Sequence, residues 1–334
     1  MLSYVIARLL WAAITLVLVV TVVFVIFFVL PGGGGRREPR GISPVAVLLA
    51  GRGARVPEMR AIEQRLKLDR PVLVQYLHYV SSLARGDLGY SFASNAPVSS
   101  VVLPALVPSL SIALGASVLW VLAGAVVGTV SASRRGSTTD RVLMGLSLAA
   151  LSLPVFFVAL MTLAAILNTT GIYAGNRYVS LSQSPWGWLE AMWLPWICLA
   201  LPLVAVYARM IRSKVLEVKA EDYIRTSVAK GLSSSAVIRH ELRGSLTPIV
   251  TMYGLDLSLL AGGSIIIERI FRIPGLGSLL LDARDFYDFP VMAGVVLLFS
   301  LMIIVTNLAV DLLYCGIDPR VRISSAPGGS SARV

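Results

Sequence analysis

Apolar residues in this chain come in long unbroken blocks separated by short polar stretches. The first block, Leu9 to Leu30, reads LLWAAITLVLVVTVVFVIFFVL without a single charge, and Arg8 stands just before it. About 20 apolar residues make a helix long enough to cross the hydrocarbon of a bilayer. A cleaved signal has a shorter apolar core and a small-residue cleavage site. Here Pro31 and four glycines follow instead, so the block predicts a retained first span.

Five more blocks follow. No charge occurs from Ser91 to Ser133, and the second span is expected at about residues 108–132, after a lead-in with Pro104 and Pro108. Gly124 and Gly128 form a G-x-x-x-G face, which either admits a close neighbouring helix or is chance spacing in a glycine-rich segment. The third span is expected at about 143–168 and the fourth at about 190–211, interrupted by Pro195 and Pro202. The fifth is expected at about 246–267 and the sixth at about 291–313. The fold class is thus an all-α integral membrane protein with six transmembrane helices and a core over residues 101–315. Tyr173, Tyr178, Trp186, Trp188, Trp193 and Trp196 gather before and at the start of the fourth span, as at a membrane interface.

Three of the polar regions between the spans carry patterns of their own. Residues 31–100 carry helical spacing at Ile62–Leu68 and Val72–Ala84, then a glycine-punctuated turn, Gly86-Asp87-Leu88-Gly89. Residues 268–290 form a second loop, with Pro274, Gly275 and Gly277 in an IPGLG run. Residues 212–245 are the most polar stretch of the second half, and their pattern is a helix, a glycine stop and a second short helix. Ile224 and Val228 are four apart, as are Ile238 and Leu242, so each helix has a small apolar stripe. Gly231 suits a left-handed helix stop, Ser233–Ser235 offer caps for the second helix, and Pro248 marks entry into the fifth span.

Composition then narrows the class. The 334 residues are 56% hydrophobic and only 14% charged, against roughly a quarter charged in globular chains. A net charge of +11 fits basic loops against anionic headgroups rather than nucleic acid. Residues 134–141 hold three basic residues and residues 209–243 hold eight, whereas loop 168–190 has only Arg177. By the positive-inside rule residues 1–8, the 212–245 stretch and the tail 316–334 are cytoplasmic. The first loop holds ten basic residues on the outside, but at about 70 residues it is long enough to escape that rule. The end of the tail is Gly/Ser-rich and expected to be disordered.

Little in the chain can do chemistry. Cys198 and Cys315 fall in or at the edge of apolar blocks, and His78 and His240 stand far apart, so neither a disulfide framework nor a metal site is expected. No G-x-x-x-x-G-K-[ST] run is present to cradle nucleotide phosphates. An enzyme is not expected. Asp256 alone is acidic within the fifth span, and a lone carboxylate at mid-membrane costs about 2.5–3.5 kcal/mol, so it needs a partner. It either faces an aqueous pathway or meets a polar group on a partner chain. An ion-coupled secondary transporter working through Asp256 is the alternative reading of function. For the 212–245 stretch, residues alone leave two readings open: a dock for a soluble partner, or a linker resting on anionic lipid.

The run Asp222-Tyr223-Ile224-Arg225-Thr226-Ser227-Val228-Ala229-Lys230-Gly231-Leu232, continuing to His240, Leu242-Arg243 and Pro248, resembles the "EAA" cytoplasmic loop of permeases from ATP-binding-cassette importers. Nearly the whole chain resembles the B-type permease of the dipeptide/oligopeptide and nickel family. The likeness includes Ile6–Leu10, Leu66–Pro71, Gln75-Tyr76, Gly86–Gly89, Ile267–Phe271, Pro274–Gly277, Val310–Tyr314 and Asp318-Pro319-Arg320.

The resemblance implies a subunit of a bacterial inner membrane importer for peptides. It would pair with a homologous second permease to enclose the pathway. Two ATPase subunits, or one used twice, would bind ATP and Mg, with no cofactor held by this chain. An external peptide-binding protein would deliver the substrate. Asp222, Tyr223, Arg225, Thr226, Ala229, Lys230, Gly231, Leu232 and Pro248 would form the ATPase-coupling loop. Gly86, Asp87, Leu88, Gly89, Pro274, Gly275 and Gly277 would serve an outer gate or the binding-protein contact. Asp256 is a candidate pathway residue. Dipeptides, longer peptides, nickel chelates and haem-like ligands are all carried by such systems. The chain departs from the family at Gly33-Gly34 after Pro31-Gly32, at Ser227, at Gly244-Ser245, which loosens the expected second helix, and in the tail beyond Arg322.

Overall fold

The computed structural model describes residues 2–31, 42–50, 55–65, 67–91, 93–170 and 178–317. The tail motif Asp318-Pro319-Arg320, the glycine run after Pro31 and Arg177 lie outside them. Twelve α-helices run in order, with a two-residue antiparallel pair as the only strands among the described residues. They are α1 (Leu2–Phe24), α2 (Pro44–Ala50), α3 (Val56–Arg65), α4 (Val72–Ala84), α5 (Val98–Ser133) and α6 (Thr138–Ser152). Then come α7 (Val155–Thr170), α8 (Pro185–Lys219), α9 (Asp222–Ala229), α10 (Ser234–Ile270), α11 (Leu276–Asp285) and α12 (Phe289–Ile317). A π-helical turn, Val25–Val29, extends α1. The strands β1 (Tyr90–Ser91) and β2 (Ala96–Pro97) pair Tyr90 with Pro97 and Ser91 with Ala96.

Among the described residues, four helices are long and apolar enough to cross a membrane, in α1, α5, α8 and α12, with a fifth if the bent pair α6–α7 is counted as one span. The 246–267 block lies inside α10, a continuous helix of 37 residues. Span-sized helices tolerate proline when neighbours satisfy the freed backbone groups. Accordingly α5 runs unbroken through Pro104 and Pro108, which are not a separate lead-in, and α8 through Pro195 and Pro202. The α8 start is built as its sequence dictates: Ser184 Oγ accepts from Gly187 N–H, and Pro185 takes the first helical position.

The third expected span differs. Residues 143–168 are not one helix, because Leu153 is extended (φ −95°, ψ 125°) before Pro154, and α6 and α7 diverge by 101°. A residue preceding proline is pushed out of the α region, which places the break here. The second helix of the 212–245 stretch also differs from expectation. It is not short, and neither Gly244-Ser245 nor Pro248 ends it; it continues as α10 to Ile270. Ser233 occupies its N-cap position, but its hydroxyl meets Ser235 Oγ at 3.2 Å rather than a backbone N–H.

The chain divides into two compact units. One comprises residues 1–8, 111–272 and 305–334; Trp120, Tyr207, Met192 and Ile211 are fully buried in it. Its α5–α8 crossing is made of backbone. A Cβ on Gly124 would come 2.6 Å from Tyr207 Cβ, and one on Gly128 would come 2.6 Å from the Ala208 carbonyl oxygen. The G-x-x-x-G spacing is therefore a helix-packing face. Arg8 and Asp311 pair at 3.2 Å at the rim of the same unit.

The other unit comprises residues 9–110 and 273–304. Ile42, Val45, Ala46, Met59, Ile62 and Leu68 form one core. Val23, Phe27, Ala293 and Leu297 form a second, against which Tyr79 and Leu83 of α4 pack. Tyr76 hydrogen-bonds Thr21 at 2.8 Å, whereas Leu73 and Leu77 are exposed.

Candidate functional site

An eight-residue helix has no stability of its own, since isolated helices below about 12–15 residues are marginal in water. Two devices hold α9. Ile224 is 2% exposed, and burying such a side chain is worth about 1.5–3 kcal/mol. Its stripe partner Val228 is not buried with it but stands exposed, as does Tyr223. At the C-terminus, Gly231 N–H donates to Val228 O at 2.9 Å and Leu232 N–H to Ser227 O at 3.3 Å. Gly231 has φ +76°, the left-handed conformation that makes this paired stop cheap only for glycine.

The remaining positions of the loop fall on the outside of α9. Asp222 and Arg225 form a loose pair at 3.5 Å with side chains 97% and 72% exposed, a contact worth little. Thr226 Oγ1 donates to Asp222 O, and Ala229 and Lys230 are exposed. Pro248 lies within α10, far from this surface in sequence. The result is a short helix seated by one apolar residue, with exposed Tyr223 and Val228 on either side of Ile224 and Asp222, Thr226 and Ala229 on the side turned away from it. Beneath it, Glu241 of α10 is 3% exposed. Burial pushes its carboxyl above the usual range, and Lys219 opposes the shift. Partial burial and the carboxylates Glu221 and Glu241 likewise raise the Tyr223 phenol.

Two pairs of residues in this unit make contacts that spacing could not reveal. Asp140 Oδ1 and Oδ2 accept a fork from Arg212 Nε and Nη2, both at 2.8 Å. Asp140 also accepts from Gly136 N–H at 2.9 Å and from Ser131 Oγ, so four donors surround one buried carboxylate. Tyr207 of α8 donates to Asp256 Oδ2 at 2.8 Å. Tyr207 in turn packs on Trp120, which meets Tyr253, whose hydroxyl bonds Ser117 at 3.0 Å. Asp256 thus has its polar partner within this chain.

In the second unit, Gly86 ends α4 with φ +79°, and Asp87 accepts from Gly89 N–H at 2.9 Å. Leu88 is half-buried. Gly275 N–H donates to Ser278 Oγ at 3.1 Å and Leu276 N–H to Ser109 Oγ at 2.8 Å, while Pro274 stays exposed and Gly277 is buried. A buried Ser91–Asp288 bond of 2.5 Å ties the strand after the Gly86–Gly89 turn to the residue just before α12. Burial raises the Asp288 carboxyl above its ordinary range, against the pull of Ser91 and Val291 N–H.

Several apolar span-length helices, joined by a polar segment that seats a short exposed helix, fit a multi-pass membrane protein. Comparison with known proteins gives the family. Residues 121–323 match the binding-protein-dependent transport system inner membrane component, and residues 1–113 match the N-terminal module of such membrane components. Among curated relatives, the glutathione transport system permease protein GsiC of Salmonella typhimurium is 36% identical over 329 residues, covering 96% of this chain and 99% of its own. A putative peptide transport system permease of Brucella abortus is 39% identical over 278 residues, covering 83% and 88%. The chain belongs to the family of binding-protein-dependent transport system inner membrane components. It is a permease subunit of an ATP-binding-cassette importer, a non-catalytic component that works with a partner permease, ATPase subunits and a substrate-binding protein.

Proposed function

We propose that this chain forms half of a six-span translocation pathway for peptides, with both termini and α9 on the cytoplasmic side. The observation that carries the reading is α9 itself, a helix held from beneath by Ile224 and bare on its outer face. Tyr223 and Val228 enter an apolar cleft of an ATPase subunit, while Arg225 and Lys230 meet acidic groups at its rim. Asp222, Thr226, Ala229, Gly231 and Leu232 shape the helix and its stop, and residue 248 belongs to the span that receives the movement. Two ATPase subunits hold ATP and Mg, and their closure draws α9 toward its counterpart on the second permease. Gly86–Gly89 and the Pro274–Gly277 loop face the peptide-binding protein on the outside. The relatives named for glutathione and peptide transport support short peptides as the cargo. Asp256, tethered by Tyr207, lines the pathway.

The test is purification in mild detergent with identification of the co-purifying subunits. Wild type should bring down a second permease and two ATP-binding subunits. A Tyr223→Glu, Val228→Glu double variant should keep the permease partner and lose the ATPases. A homodimer without ATPases, together with uptake driven by an ion gradient, would overturn the proposal in favour of a secondary transporter.

A further inference from the structure

The docking helix is joined to α8 by two residues only, Ala220 and Glu221, and both stay hydrogen-bonded to the last turn of α8 through Glu217 O and Val218 O. A shift of α9 therefore reaches the C-terminal part of α8 with little slack. That part of α8 is gripped twice. Gly128 of α5 seats against Ala208, Ile211 and Arg212 without room for a Cβ. Arg212 then forks onto Asp140 at the first turn of α6, with Ser131 and Gly136 closing the same carboxylate. The Asp140 side chain is 6% exposed and that of Arg212 27%, so water competes weakly for either. At its other end α6 stops at the Leu153–Pro154 break and turns by 101° into α7. Proline offers no N–H to bridge that break.

We propose that the Asp140–Arg212 fork makes α6 and the C-terminal part of α8 one body, so that displacement of α9 swings α6 about the Leu153–Pro154 break. Asp140 and Arg212 act as positioning residues: neither meets substrate or nucleotide, and each works through the helix it fastens. A bidentate guanidinium suits this role, because two parallel bonds fix orientation as well as distance. The inference rests on the reading that α9 docks on an ATPase.

The test uses the assembled importer in proteoliposomes, reading ATP hydrolysed per peptide transported. Arg212→Lys keeps the charge and loses the fork; Asp140→Asn keeps the shape and loses the charge. In both, subunits should still co-purify while the ratio rises by about threefold or more, within the range such links carry. The exchange Asp140→Arg with Arg212→Asp should bring the ratio back toward wild type. A wild-type ratio in assembled Arg212→Lys would overturn the proposal. A second measurement needs no clamp variant. Spin labels at Leu146→Cys and Leu160→Cys, in a background with Cys198 and Cys315 replaced by Ala, should change separation between nucleotide-free and nucleotide-trapped states; an unchanged separation overturns the swing. Gly231→Val serves as the control: if it too leaves the ratio unchanged, the docking reading itself has failed.

Discussion

Tyr207 donates its hydroxyl proton to Asp256 Oδ2 across 2.8 Å, joining α8 to α10 at the one acidic residue of the expected fifth span. The bond gives the acidic side chain of an otherwise apolar run a polar partner. Removing the two ends should therefore give different results. Tyr207→Phe strips the carboxylate of its donor and should cost about 1–3 kcal/mol, seen as a lower melting temperature of the purified complex. Asp256→Asn keeps an acceptor for Tyr207 and should leave melting within a few degrees while uptake falls. Undiminished uptake by Asp256→Asn would remove it from the pathway.

The α5–α8 crossing predicts opposite outcomes for two glycines. Gly128→Ala forces a Cβ to within 2.6 Å of a backbone oxygen, so the helices must part; the cost should be about 1–3 kcal/mol and expression should drop. Gly145→Ala on the exposed side of α6 meets nothing within 4 Å and should gain up to about 1 kcal/mol. Thermal melts of the two variants side by side check both.

At Gly231 the obstacle is conformation rather than space, since a Cβ there would meet no atom within 4 Å. Left-handed backbone costs roughly 1–2 kcal/mol for an ordinary residue and less for Asn. Transport per ATP should therefore fall in the order Gly231→Asn, Gly231→Ala, Gly231→Val, with membrane insertion intact in all three. Equal transport by wild type and Gly231→Val would remove the docking role of this turn.

Asp288 carries a pH signature. Its native carboxyl titrates above the ordinary aspartate range because it is buried. The folded unit then binds the proton more tightly than the unfolded chain does, so stability falls as pH rises from the ordinary value through the raised native one. Asp288→Asn should flatten that part of the stability curve, provided melting is followed in the same buffer series. An unchanged slope would show that the proton is not held there.

Much of this architecture could be read from the residues. Charge-free runs of span length marked α1, α5, α8 and α12, and a glycine between two short apolar stripes marked the stop at 231. What escaped had a physical reason in each case. The α6–α7 bend turns on Pro154, yet proline passes unnoticed through α5 and α8, so its presence alone does not separate a break from a tolerated kink. Gly244-Ser245 reads as a weak point in water, but within a long helix its cost is absorbed by the packing on either side. Asp140–Arg212 and Tyr207–Asp256 join residues 72 and 49 positions apart. No local pattern encodes such partners. Asp256 could be singled out because it is an acid in an apolar run; Asp140, in a polar turn, could not.

The continuity of α10 has a mechanical side. At 1.5 Å per residue its 37 residues form a rod about 55 Å long, separated from α9 by four residues and ending at Ile270. A tilt of about 5° about one end moves the other by roughly 5 Å, close to one helical turn. With no joint between its two ends, such a rod amplifies a small movement at Ser234 into a displacement of molecular size at the far tip.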